Sequence, residues 1–137
     1  MSMNMTTFLR NSIRTHLLRT GSWTKPSELW VALHTGAPGA DASANQVSGG
    51  AYARAQLDPA DANWTAETTD GESKNAAAIT FPAPSGANWG SITHVSVWDA
   101  STGGNSLLQG ALTTPKTVND GDPAPSFPIG DLDIAFT

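Results

Sequence analysis

The 137-residue sequence contains no cysteine, few charged residues and no long apolar run. The missing cysteines exclude a disulfide framework, a cysteine-ligated metal centre and a cysteine nucleophile. Charged residues make up only 14% of the chain, against about 25% in an average soluble protein. No run approaches the roughly 18 apolar residues of a membrane-spanning helix, and the N-terminus lacks the apolar core of a signal peptide. The sequence predicts one ordinary domain with no membrane partner.

The few charges are unevenly distributed. Residues 1–25 carry four bases and no acid, which gives +4, whereas residues 26–137 carry three bases and all twelve acids, which gives −9. An acidic body binds nucleic acid poorly, so a nucleic-acid partner is not predicted. Only the N-terminal segment is basic. A solvated helix face is the ordinary interpretation of its bases, and contact with an anionic surface or nucleic acid is the alternative.

Residues 6–20 are predicted to form an amphipathic helix. Apolar residues recur at a spacing of four, whereas the arginines lie off this apolar stripe. The stripe consists of Met5, Leu9, Ile13 and Leu17, with Phe8 on the same side. A helix of this length is marginal alone, so the stripe must pack on its own domain or on a neighbouring subunit. The assembly residues predicted in this helix are Phe8, Leu9, Arg10, Ile13 and Arg14.

Beyond residue 26 the pattern predicts short β-strands separated by turns. Thirteen glycines and nine prolines punctuate the chain, as is typical of sandwiches with many short strands. The expected fold is mainly β: a single jelly-roll-like β-sandwich with an N-terminal helical extension. The domain division is a basic helical arm over residues 1–25 and a sandwich over 26–137. The predicted strands occupy 29–34, 51–57, 75–81, 91–99, 107–113 and 132–136.

The polar residues form no recognisable catalytic pattern. His16, His34 and His94 fall on separate predicted elements, and their spacing indicates no metal site. The G-x-S-x-G elbow of serine hydrolases is missing. Asp131 and Asp133 alternate along a predicted strand, where a solvent-facing edge is the ordinary interpretation. We therefore predict no catalytic residue, metal ligand or cofactor.

Five tryptophans are numerous for this length. Trp30 and Trp98 fall within predicted strands and are expected inside the protein. Trp64 and Trp89 fall in predicted loops and are the tryptophans we predict at an interface, where this residue type is enriched. Exposed tryptophans also stack on sugars, which leaves glycan binding as an alternative role.

Five blocks of the sequence resemble those of small structural proteins of tailed bacteriophages, commonly labelled tail fibre or minor tail proteins. They lie in order: LWVALHTGAPG at 29–39, NQVSGGAYAR at 45–54, NAAAITF at 75–81, ITHVSVWDA at 92–100 and GALTTPKTV at 110–118.

The resemblance covers about residues 28–137 and implies a virion component without a catalytic motif. It does not distinguish head, neck and tail. We expect a non-enzymatic accessory or fibre-type protein that assembles with other virion proteins and forms a symmetric homo-oligomer such as a trimer. The alternative is a module of the particle that binds host-surface glycans.

Overall fold

The computed structural model describes residues 2–66 and 71–135. Within these residues the protein is mainly β with one helix near the N-terminus, as the sequence predicted. Phe136, which was predicted to end the last strand, lies outside the described residues. The elements are β1 (Ser2–Met5), α1 (Thr7–Leu18), β2 (Trp30–His34), β3 (Ala55–Gln56), β4 (Glu72–Lys74), β5 (Ile79–Thr80), β6 (Gly90–Trp98), β7 (Ser106–Val118), β8 (Ser126–Phe127) and β9 (Asp133–Ala135).

Most of these strands join one curled sheet of seven strands, in the order β3-β2-β6-β7-β1-β9-β4. The remaining two, β5 and β8, pair with each other in a second, small sheet. Phe81 and Phe127, next to and within this small sheet, meet edge to face with ring centroids 6.1 Å apart. The fold is therefore dominated by one large sheet, and the hydrophobic core packs on the buried face of that sheet.

The antiparallel hairpin of β6 and β7 forms the centre of the large sheet. Val95 pairs with Gly110, and Val97 pairs with Leu108, along a ladder that shifts register twice. The first shift, which directly follows Ile92, lets this residue face the core together with Val95 and Val97, although strict alternation would put it on the opposite face. The hairpin predicted from the sequence is confirmed.

The first strand, β1, lies inside the sheet. It pairs antiparallel with β7 and parallel with β9, and Met3 is fully buried. The sequence predicted a helical arm over residues 1–25. In the structure this segment begins with strand β1, and α1 and the connector towards β2 follow it. A strand of four residues is too short for an alternating pattern to reveal it.

A candidate assembly surface

The start of α1 is fixed to the sheet by Thr6. The Thr6 hydroxyl donates to the carbonyl oxygen of Ser106 at 2.6 Å, and its oxygen accepts the backbone N–H of Leu9 at 3.3 Å. Thr6 is fully buried, so this N-cap also anchors the helix to β7. The predicted helix over 6–20 is confirmed with bounds Thr7–Leu18.

The apolar stripe of α1 is only partly covered by the protein itself. Leu9 is buried and Phe8 is half-buried against the core. Ile13 has an exposed fraction of 36%, and Leu17, at the end of the stripe, has one of 75%. The adjacent Leu18 lies off the stripe and is 73% exposed. The C-terminal half of α1 therefore presents large apolar side chains to solvent, which soluble monomers rarely do in contiguous groups.

Basic side chains flank this exposed apolar surface. Arg10 and Arg14 are exposed on α1, and Arg14 donates to the Asn11 side chain at 3.2 Å. Arg19 and Lys25 are exposed in the connector. The backbone N–H of Trp23 donates to the His16 ring at 3.1 Å, which folds that connector back on the helix.

An apolar pocket of about 330 Å³ lies between α1, the connector and the sheet. It brings together three predicted residues, Leu9, Ile13 and Trp64. The Trp64 indole donates to the Asp58 carbonyl oxygen at 3.2 Å, which fixes the ring as one wall. Sequence reasoning did not identify the other walls, because the connector residues Trp23 and Leu29 reach this place only through long-range folding. The pocket is lined by Leu9, Ile13, Trp23, Lys25, Pro26, Leu29, Pro59, Trp64, Thr65, Ser73, Val97, Leu107, Leu108 and Ile134.

Trp89, the other tryptophan predicted at an interface, lies in the core. It is 4% exposed, its indole donates to the Gly50 carbonyl oxygen at 2.8 Å, and Tyr52 meets its ring edge to face. A Cβ at Gly50 would lie 2.9 Å from the indole ring, so the glycine lets the ring approach the backbone. Packing accounts for Trp89, and the ring has almost no surface left for a partner in this fold.

His34 and Ser96 form a buried pair that superficially resembles a hydrolase dyad. The His34 Nε2 atom lies 2.7 Å from the Ser96 hydroxyl, and Nδ1 lies 2.8 Å from the Ala44 carbonyl oxygen. Both residues are fully buried, and the Trp98 indole also donates to the Ser96 oxygen at 2.7 Å. A nucleophile needs access to substrate, so this chain of hydrogen bonds holds β2 against β6.

The same burial makes the stability of the fold depend on pH. Burial lowers the pKa of His34 from 6.5, and the nearby charges of His94 and Arg54 lower it further, while the hydrogen bond to Ala44 opposes them. Below pH 6.5 the unfolded chain binds a proton that folded His34 resists. Stability should therefore be full above that pH and should fall as the pH decreases towards the folded pKa, by at most about 1.4 kcal/mol per pH unit.

Urea unfolding on both sides of pH 6.5 tests this expectation, with His34→Gln compared with the wild type. His34→Gln should flatten the acid slope. An unchanged slope in His34→Gln would assign the pH dependence to other groups.

Within residues 2–66 and 71–135, no three His, Asp or Glu side chains form a group that could hold a metal ion. No helix among these residues has the length and apolar character needed to cross a membrane.

Comparison with known proteins identifies the family. A search of the curated proteins gave no match. A protein-family model described as "Podophage GP4 fiber I protein gp80" matches residues 4–135. The match spans nearly all of the 137 residues. It includes the end of β1 and all of α1, which the resemblance seen in the sequence did not cover. The chain thus belongs to the podophage GP4 fiber I protein gp80 family, and is a tail-fibre-type structural protein of the virion.

Proposed function

We propose that this protein is a non-enzymatic fibre component that attaches to an acidic surface of a neighbouring virion protein through the outer face of α1. The observation that carries the proposal is the exposure of Leu17 and Leu18 at 75% and 73% beside exposed Arg10 and Arg14. An apolar centre with a charged rim is the ordinary composition of a protein interface. The family implies association with other virion proteins.

Charge supports an acidic partner. Four bases and no acid lie in residues 1–25, so the face of α1 would attract an acidic surface and repel a basic one. The body of this chain is itself acidic, and copies of it are expected to assemble around the attachment point as a symmetric oligomer such as a trimer.

Two surface variants test attachment without disturbing the sheet. Deleting residues 1–20 would remove β1 and the Thr6 cap. A loss of incorporation by this deletion variant would therefore not distinguish a failure of attachment from a failure of folding. Leu17→Ser combined with Leu18→Ser, and Arg10→Glu combined with Arg14→Glu, should each fold as the wild type, since surface changes usually shift stability by less than about 0.5 kcal/mol. Each should reduce incorporation into particles when supplied to a phage lacking the gene.

The matched control is Lys116→Glu, which reverses an exposed charge on β7. It should incorporate normally. Incorporation of both α1 variants at the wild-type level, measured on gradient-purified particles, would contradict attachment through this face.

Glycan binding is the second candidate, because Trp64 also lines an open groove of about 660 Å³ with Lys25 and Asp61. An aromatic face beside an acid and a base can stack on a sugar and hydrogen-bond its hydroxyls. Asp61 is exposed, so Asp61→Ala should leave the fold and incorporation intact. Loss of adsorption to host cells by particles carrying Asp61→Ala would favour this second role.

A further inference from the structure

Ile129 is an exposed apolar side chain held on a rigid turn. It is 69% exposed, whereas the other large apolar side chains exposed among the described residues all belong to α1. Asn75, which is fully buried, holds this turn in place through hydrogen bonds. The Asn75 side chain donates to the Pro128 carbonyl oxygen and accepts the Leu132 N–H, both at 2.9 Å.

Two backbone hydrogen bonds also stabilise the turn that carries Ile129. The Gly130 N–H donates to the Asn75 carbonyl oxygen at 2.9 Å, and the Asp131 N–H donates to the Pro128 carbonyl oxygen at 3.1 Å. Gly130 has a φ of +83°, a conformation that favours glycine. An anchor whose backbone is already fixed loses little conformational entropy on binding, which is the condition for an effective interface residue.

The apolar pocket beneath α1 has the complementary properties. It has a volume of about 330 Å³, and an apolar cavity of about 150 Å³ already accepts benzene, so there is room for an aliphatic side chain. Lys25 and Thr65 line it and are exposed, which shows that it opens at the surface. Ile129 is not among its lining residues, so its own chain's isoleucine does not fill it.

The turn that carries Ile129 and the rim of the pocket carry opposite charges. Asp131 is exposed two residues beyond Ile129, and Lys25 is exposed at the rim of the pocket. A second copy that placed Ile129 in the pocket would bring an acidic group towards a basic rim. The net charges of the whole segments are also opposite, since residues 1–25 are basic and residues 26–137 are acidic.

We propose that Ile129 of one copy enters the apolar pocket beneath α1 of the next copy. The two surfaces differ, so the contact is heterologous, and it generates a closed ring or a filament according to its rotation. The inference depends on the proposed role as an assembling fibre component, but it uses the inner side of α1 rather than Leu17 and Leu18. The two proposals can therefore fail separately.

Cysteine cross-linking tests the contact directly, because the wild-type chain has no cysteine. Ile129→Cys is mixed with Ile13→Cys or with Thr65→Cys, and the mixture is oxidised. A disulfide needs Cα atoms within about 7 Å, so a linked dimer with one chain of each kind is expected from at least one mixture. Ser101→Cys, on an exposed turn, replaces Ile129→Cys in the control mixtures and should give none. Dimer yields no higher than the control would overturn the inference.

Sedimentation velocity over a concentration series gives an independent measurement. Ile129→Asp should weaken self-association at least about tenfold, since it puts a charge into an apolar site. Lys25→Glu and Asp131→Lys should each weaken it, and the double variant should restore it. A wild-type chain that stays monomeric throughout, or an Ile129→Asp chain that associates normally, would overturn the inference. Normal association of Ile129→Asp with poor incorporation of the Leu17/Leu18 variant would leave attachment through α1 intact.

Discussion

Asn75→Ala is expected to lower the free energy of unfolding by about 3–5 kcal/mol, a large effect for a single polar side chain. Asn75 is fully buried. Its amide donates to the carbonyl oxygens of Ala77 and Pro128, and its oxygen accepts the N–H of Leu132, each at 2.9 Å. Alanine leaves these backbone groups without the partner, and an unsatisfied buried group costs about 1–3 kcal/mol.

The variant should also loosen the turn that carries Ile129. Urea unfolding measures the stability loss, and protease cleavage within the turn measures the local loosening. Asn11→Ala is the matched control, because Asn11 is exposed and its side chain accepts a hydrogen bond from the exposed Arg14. A loss below about 1 kcal/mol for Asn75→Ala would show that water replaces the missing amide.

Local patterns in the sequence were sufficient to predict α1 and the β6–β7 hairpin. The helix has a threonine cap and apolar residues at a spacing of four, and both features act within a few residues of each other. The strands that were predicted well are long enough for alternation to be visible, as in β6 with nine residues. Strands β3 and β5 lie within the strands predicted at 51–57 and 75–81, but each has only two residues. A short apolar stretch indicates a strand without fixing its ends.

Long-range pairing accounts for what the sequence did not predict. β1 is a strand because β7 and β9 lie on either side of it, and nothing within Ser2–Met5 indicates those partners. Trp89 lies in a loop next to β6, as the sequence predicts, but its burial depends on Gly50, 39 positions away, which accepts its indole N–H. The candidate site shows the same division: Leu9 and Ile13 follow from the helical stripe, whereas Trp23 and Leu29 join them only in the folded chain.

Arg54→Ala is expected to lower the free energy of unfolding by about 2–4 kcal/mol. Arg54 is 8% exposed, and its guanidinium lies 4.1 Å from the centre of the Trp98 ring. It donates to the carbonyl oxygens of Ala100 and Gly103 at 2.7 and 2.9 Å, and to the Gln46 side chain at 3.2 Å. One side chain thereby ties the β6–β7 turn to the loop that contains Gln46.

The net loss is smaller than for Asn75 because removing Arg54 also relieves a desolvation cost. Burial lowers the pKa of Arg54, which shows that the charged form is penalised where it lies. Arg54→Lys separates charge from geometry: an ammonium group keeps the charge but lacks the planar fork that reaches several acceptors and stacks on Trp98. We expect it to lose most of the same stability, whereas the exposed-site control Arg10→Ala should lose less than about 0.5 kcal/mol in the same urea titration. Wild-type stability in Arg54→Lys would show that the positive charge, and not the fork of hydrogen bonds, holds the turn.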